Sequence, residues 1–382
     1  MIKIGFVFLD GIYLIPHFFD SVAELYNRPN IKVDILTHEN PDQYFYQALD
    51  KYNIPYSIIK QLPTYLYKKI AYKIQGRKKP SNQYIIKKNK KILLNYDILV
   101  FTVFNNKRIK RKNKNKPKYI FLMHGAGDSF FPFQPEHKST IEEFSLVTTP
   151  GKKINDLFAQ MGKFKNTHFE ICGYQKLDFV KKMKTETVLF NDDKPVVLYN
   201  PHFSKQFSSF YRYGLDILEY FYQNKEYNFI FAPHMNLFSE ESKNSLSINL
   251  IPKKYYETEH MIIDFGSIQS VNMTYTQNAD IYIGDVSSQI YEFLIEKTKP
   301  AIFIDIQQIN QKENLFFKHF SLGKVITDIK DLPELLQTRE LWQKKYEKKQ
   351  KKMIEYTFDI DPNKSSGKRV AETIINFIEK DK

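Results

Sequence analysis

Three histidines each follow an apolar run: His124 after KYIFLM and before Gly125, His202 after VVLYNP, and His234 after NFIFAP. Imidazole titrates near neutrality, so such a group can take a proton, give one, or hold an anion. A fourth run, IYIG, is followed by Asp285, Val286, Ser287 and Ser288, and then by QIYEFL, which carries Glu292 one turn into a helix. At a helix start the unpaired N–H groups and the dipole favour an anion, and hydroxyls add donors. A phosphate fits there. Asp285 or Ser287 fits equally the common role of a helix cap, and the two roles are compatible. Asn200, between Tyr199 and Pro201, suits the support of a backbone turn.

Those residues need elements to hold them. Short apolar, β-branched-rich runs alternate with helix-length segments along the chain. The runs predict strands over Ile2–Leu9, Lys32–Leu36, Ile98–Phe104, Tyr119–Met123, Leu146–Thr149 and Phe169–Cys172. A second series follows over Val196–Tyr199, Asn228–Ala232, Met261–Asp264, Ile281–Gly284 and Ala301–Ile304. Strands alternating with helices imply parallel sheets covered on both faces. The expected class is α/β, with two doubly wound, Rossmann-like domains at 1–183 and 184–382 facing across a cleft. The charged stretch Lys181–Lys194 reads as the linker, and the last helix, Lys368–Glu379, can pack back on the first domain. Ligands of open parallel sheets sit outside the carboxyl ends of the strands. The chemistry-bearing residues above all lie there.

Composition sets the bounds. The chain has 382 residues, 42% hydrophobic and 15% aromatic, enough for two cores, with a formal net charge of +14. That charge favours polyanionic partners: nucleic acid, phospholipid surfaces or phosphorylated substrates. Cys172 is the single cysteine, which excludes an intrachain disulfide and a cysteine metal cluster. No apolar run approaches the ~20 residues that span a bilayer. The apolar start is broken by Asp10 and Pro16 and carries no small-residue cleavage site, so no signal peptide is read. The expected location is cytoplasmic, peripheral on the inner face of the membrane if the basic stretches bind lipid. Residues 105–119, NNKRIKRKNKNKPKY, are either a solvated loop or a contact for anionic lipid or a phosphate polymer. Residues 62–80 interleave Tyr, Leu and Ile with Lys and Arg, as in an interfacial amphipathic helix or an ordinary helix packed on a sheet. No nucleic-acid-binding signature accompanies them. Asp359-Ile360-Asp361 reads as a loop, and no metal is expected: the histidines lack the i, i+4 spacing of a tight zinc site.

In order along residues 118–380, "KYIFLMHGAG", "GYQKLD", "VLYNPHFS", "FAPHMN", "NADIYIGDVSSQIYEFLIEKTKPAIFID" and "GKRVAETIINFI" resemble the CDP-glycerol glycerophosphotransferases of teichoic acid and capsule synthesis. The sequence departs from that pattern at several places. Ala126 and Gly127 follow His-Gly where a Thr is usual, and the arginine of the Gly-Tyr turn is replaced, with Lys176 nearby. Tyr-Pro-Thr reads Tyr199-Asn200-Pro201-His202, and Thr-Asp-Tyr-Ser-Ser reads Gly284-Asp285-Val286-Ser287-Ser288.

The resemblance implies a glycosyltransferase-B-like architecture. It also implies attack of an acceptor hydroxyl on the phosphorus of a CDP-activated polyol, with CMP leaving. In that reaction His124 would be the base, and His234 would bind the pyrophosphate or assist the leaving group. Gly125, Asn200, His202, Asp285, Ser287 and Ser288 would form the donor-phosphate and nucleotide site, with Glu292 accepting from ribose hydroxyls. No cofactor is implied. Partners would be a CDP-polyol, with glycerol and ribitol both open, and a glycopolymer or lipid-linked acceptor; the basic stretches, not the resemblance, point to an anionic membrane surface. A nucleotide-sugar glycosyltransferase, a sugar-nucleotide epimerase and a non-catalytic binding protein are the competing classes.

Overall fold

A computed structural model describes all residues except 39–40, 66–69, 71–73, 75–79, 107–108, 110–116, 127–132, 240–244, 309–314 and 381–382. Much of the basic run at 105–119 and of the segment at 62–80 lies outside the described residues, as does Gly127.

The chain forms two compact units, one built from Met1–Gly125, Phe131–Lys184 and Thr357–Lys382 and one built on Thr185–Tyr356. The first carries seven strands: β1 Ile2–Val7, β2 Ile31–Thr37, β3 Ile59–Gln61, β4 Ile98–Phe101, β5 Lys118–Leu122, β6 Leu146–Thr149 and β7 His168–Ile171. Their order is β3-β2-β1-β4-β5-β6-β7, and every pair is parallel. The second carries β8 Val196–Asn200, β9 Asn228–Phe231, β10 Met261–Ile263, β11 Ile281–Gly284, β12 Ala301–Ile304 and β13 Lys324–Ile326. Their order is β10-β9-β8-β11-β12-β13, again parallel throughout. Each sheet runs outward in both directions from its first strand. The winding reverses between β1 and β4 in one unit and between β8 and β11 in the other, which opens a crevice at the strand ends.

The central strands are buried on both faces, as their unbroken apolar sequences require: every residue of β4, β6, β9, β11 and β12 is buried. Two edge strands were not predicted, β3 and β13. Each has three residues and includes lysine, Lys60 or Lys324, so neither shows an apolar run. Several predicted strands are shorter at their carboxyl ends. β1 stops at Val7 and β4 at Phe101, and Asp264 turns the chain after β10 by accepting from the N–H groups of Gly266 and Ser267 at 2.7 Å each.

Five helices matter for the polar clusters and for the closure of the first unit: α1 Phe19–Tyr26, α2 Gln175–Met183, α3 Phe210–Gln223, α4 Gln289–Leu294 and α5 Ser366–Glu379. Helix α2 takes up Lys181–Met183 from the predicted linker, because Lys181 and Lys182 sit favourably at its carboxyl end. In the first unit α5 packs against α1 through Val370, Ala371 and Ile374. It is pinned by the Ser366 N–H to Asp178 Oδ2 at 2.8 Å and by Arg369, which reaches the Ile171 carbonyl at 3.1 Å and Asp359 at 2.5 Å. Gly173, after β7, has φ +86°, and a Cβ there would stand 2.6 Å from Ser366 Oγ. Asp359 is thus held by an arginine in a loop.

Candidate active site

The second unit gathers its polar residues at the point where its sheet reverses. Asn200 ends β8 and knits three strands together. Its Nδ2 donates to the Ala232 carbonyl at 2.5 Å, and its Oδ1 accepts from Tyr282 Oη at 3.2 Å and Ser287 Oγ at 2.9 Å. Asp285, after β11, reaches back across the same gap. Oδ1 accepts from the His202 N–H at 2.7 Å; Oδ2 accepts from the Ser209 N–H at 2.7 Å and Ser209 Oγ at 2.9 Å. Burial pushes its carboxyl up to about 7, against the pull of those hydrogen bonds. These partners make Asp285 a brace between the ends of β8 and β11. A carboxylate turned into the protein, 1% exposed and accepting three hydrogen bonds, fixes the loop that carries His202. Asn200 likewise spends its amide on strand ends.

His202 and His234 lie side by side on this frame, ring centroids 5.8 Å apart, with Phe203 against both. In each, Nδ1 accepts a backbone N–H: that of Ser204 at 3.0 Å for His202, and that of Asn236 at 3.2 Å for His234. An Nδ1 that accepts leaves the proton of the neutral ring on Nε2. Burial lowers His234 to about 4. Burial, then His234 and His319, lower His202 to about 3. Both rings are therefore neutral Nε2–H donors at pH 7.

At the head of α4, Ser287 Oγ donates to Asn200 and accepts from the Gln289 N–H at 3.3 Å. Ser288 stands at the N-cap position and makes no side-chain cap bond. The hydroxyl predicted as a cap is thus mainly a tie between β8 and β11. Glu292, one turn further along α4, is 6% exposed.

The first unit holds the other two predicted residues, His124 and Gly125. Gly125 turns the chain after β5 with φ +80°, a conformation that costs a side-chain-bearing residue about 1–2 kcal/mol. His124 Nδ1 lies 2.6 Å from the Thr102 carbonyl oxygen, which only accepts. Nδ1 therefore carries the proton, and Nε2 presents a lone pair, the opposite of His202 and His234. Burial holds His124 below the ordinary imidazole value. His17, from the turn Ile12–His17 after β1, sets its ring 5.8 Å from that of His124, and Tyr174 packs 5.6 Å from His17. Burial, then His124 and Lys176, keep His17 well below its usual range. Sequence reading missed His17, Ser209 and His319. Their partners lie far away in the chain, and none sits directly after a strand. Among the described residues no group of three His, Cys, Asp or Glu could hold a metal ion.

Two all-parallel Rossmann-like units with polar clusters at their strand ends make up a glycosyltransferase-B-like fold. Solved structures share that fold. UDP-GlcNAc 2-epimerase from Neisseria meningitidis is 14% identical with TM-score 0.61, covering 99% of this chain and 100% of the other. MnaA of S. aureus with UDP is 12% identical with TM-score 0.62, covering 99% and 96%. The wall teichoic acid polymerase TagF is 14% identical with TM-score 0.60, covering 100% and 90%. No curated protein matches in sequence. The chain belongs to the CDP-glycerol:poly(glycerophosphate) glycerophosphotransferase family, whose model matches residues 40–376. It is a transferase of that kind.

Proposed function

We propose that this enzyme moves glycerol phosphate from CDP-glycerol to a hydroxyl of a cell-surface glycopolymer or its lipid-linked precursor, releasing CMP. The observation that carries the reading is the opposed protonation of the histidines: a bare Nε2 on His124, and Nε2–H on His202 and His234. The acceptor O–H gives its proton to His124 Nε2 as its oxygen bonds to the glycerol-bearing phosphorus. The bond from that phosphorus to the bridging oxygen breaks, and CMP departs with the electron pair. Hydrogen bonds from His202 and His234 meet the charge on the phosphoryl oxygens and on the departing phosphate. These rings supply donors rather than formal positive charge, since burial lowers both. Ser288 and the N–H groups heading α4 add donors, and Glu292 takes the ribose hydroxyls. Asn200, Ser287 and Asp285 hold that site in shape. The second unit is the donor side and the first the acceptor side. The net charge of +14 supports placement against an anionic membrane on the cytoplasmic face.

The deciding experiment offers the protein CDP-glycerol, CDP-ribitol and a panel of UDP-sugars and follows the nucleotide set free. CMP from CDP-glycerol in the presence of a hydroxylated acceptor is the expected result. UDP release, or interconversion of a UDP-sugar with its epimer, would replace this reading with the glycosyltransferase or epimerase alternative.

A further inference from the structure

Residues 339–356, RELWQKKYEKKQKKMIEY, carry seven basic side chains against three acidic ones, and none of them belongs to the sites described above. They fold as two helices, Arg339–Gln343 and Glu347–Thr357. In the turn between them the Lys345 and Tyr346 N–H groups reach back three residues, to the Trp342 and Gln343 carbonyls. One side of this segment is spent on the second unit. Trp342 is buried in that unit's core and gives its Nε1 proton to the Leu335 carbonyl at 3.0 Å. Gln350 is buried and grips the backbone beside β12. Its Oε1 accepts from the Lys299 N–H at 3.2 Å, and its Nε2 donates to the Lys299 and Leu322 carbonyls at 2.9 and 2.7 Å. The opposite side holds the lysines. At about 100° per residue, Lys348, Lys349, Lys351 and Lys352 fall within an arc of about 160° facing away from Gln350 and the buried Ile354. All four are exposed, as are Lys344 and Lys345 in the turn, and Glu355 is the one acid within the arc. None of the six lysines is ion-paired among the described residues.

Such a face works against its own helix. Lys348 and Lys352 stand at i, i+4, and Lys348–Lys351 and Lys349–Lys352 at i, i+3, where like charges repel. An anionic surface turns that repulsion into attraction. A second feature says which kind of surface. Leu341, three and four residues before Lys344 and Lys345, is 78% exposed at the head of the lysine face. A soluble polyanion meets the lysines and leaves Leu341 in water. A bilayer meets both, its headgroups taking the charges and its interface the leucine. We propose that this lysine face, headed by Leu341, is the surface by which the protein lies on a membrane rich in anionic lipid; the proposal rests on the membrane placement given above and locates it. Leu341 and Lys344 line a cleft with Asp280 and Pro300, at the amino ends of β11 and β12. The polar site of the same unit lies at the carboxyl ends of its strands. Contact through this face therefore leaves that site in water, where a soluble nucleotide arrives.

The test is co-sedimentation of the full chain with vesicles of phosphatidylglycerol and phosphatidylcholine, against vesicles of phosphatidylcholine alone. Three variants are compared, with melting checked for each. The first is Lys348→Gln, Lys349→Gln, Lys351→Gln and Lys352→Gln together; the second is Leu341→Ser. The third removes the same charge elsewhere, through the exposed Lys87→Gln, Lys165→Gln, Lys225→Gln and Lys253→Gln. Wild type should bind the anionic vesicles and not the neutral ones. The first variant should bind about a hundredfold or more weaker, with the difference fading in salt, and Leu341→Ser about tenfold weaker. The third should bind much as wild type does. No binding by wild type, or equal losses in the first and third variants, overturns the proposal. Unchanged binding by Leu341→Ser, with soluble polyphosphate displacing the vesicles, would make the occupant a soluble polyanion and overturn the membrane claim. CMP release with a soluble acceptor should be the same in all four proteins. Should wild type release no CMP at all, the transferase reading fails while sedimentation still decides the surface.

Discussion

At the scale of single residues, the backbone partner of each imidazole decides its work. His124 is fixed with its Nδ1 proton on the Thr102 carbonyl, so its replacement by Gln should lower turnover by about 10² or more, the usual scale of lost acid–base help. The pH profile adds an independent check. Burial lowers the His124 pKa from the ordinary imidazole value, so the midpoint of the acid limb of the activity profile should lie below that of a free imidazole. An acid limb centred at or above 6.5 would assign it to another group. His234 gives a stability prediction. Its folded pKa of about 4 lies below the unfolded value of 6.5, so the folded protein resists protonation there. The stability this group contributes is complete above pH 6.5 and is lost as pH falls towards 4. A His234→Gln protein should therefore gain on wild type by up to about 3 kcal/mol between pH 7 and pH 4, at 1.36 kcal/mol per pKa unit. Urea midpoints of both proteins at the two pH values read the difference, and parallel curves would refute it.

At the scale of elements, the β8 and β11 ends are one device. Asp285 stands after one strand and holds the backbone after the other. Asp285→Ala leaves the His202 and Ser209 N–H groups buried without acceptors, at roughly 1–3 kcal/mol for each such group. Asp285→Asn keeps one acceptor oxygen and should lose about half as much. Donor affinity should fall in the same order, since His202 rides on that loop. Chemical denaturation and CDP-glycerol titration on both variants check it; equal stability of the two variants would show that the clamp carries no weight.

At the scale of the whole molecule, the chain leaves its first unit at Lys184 and returns to it at Thr357. Residues 1–184 alone lack α5, whose buried Val370, Ala371 and Ile374 cover α1. That fragment should be insoluble or molten when expressed by itself, and recover ordered structure when 357–382 is supplied as a tethered segment. The fragment 185–356 holds its own sheet and the aromatic core around Phe221, Phe229 and Phe231, and should fold alone. Circular dichroism melts of the three proteins test this, and a cooperative transition for 1–184 would contradict it.

The α/β class and eleven of the strands are legible in the amino-acid order alone, because the central strands, buried on both faces, must be written as apolar runs, and such runs are local; the edges β7 and β10 keep enough apolar residues to be read with them. The same runs place His124, His202, His234 and the Asp285–Ser288 turn at strand ends, since those ends follow the runs directly. Edge strands β3 and β13 stayed hidden, for one side of an edge is open and tolerates Lys60 or Lys324. The role of Asp285 was hidden for a different reason. Asp285 reads as a cap or phosphate ligand from its neighbours in the chain, yet its partners are 76 and 83 residues away. Tautomers were equally out of reach. Whether an imidazole offers a lone pair or a proton depends on which backbone group meets Nδ1: Thr102 for His124, Ser204 and Asn236 for the other two. Residue type and strand position are properties of the sequence; the partner that sets a proton is fixed only when the sheet brings distant segments within about 3 Å of each other.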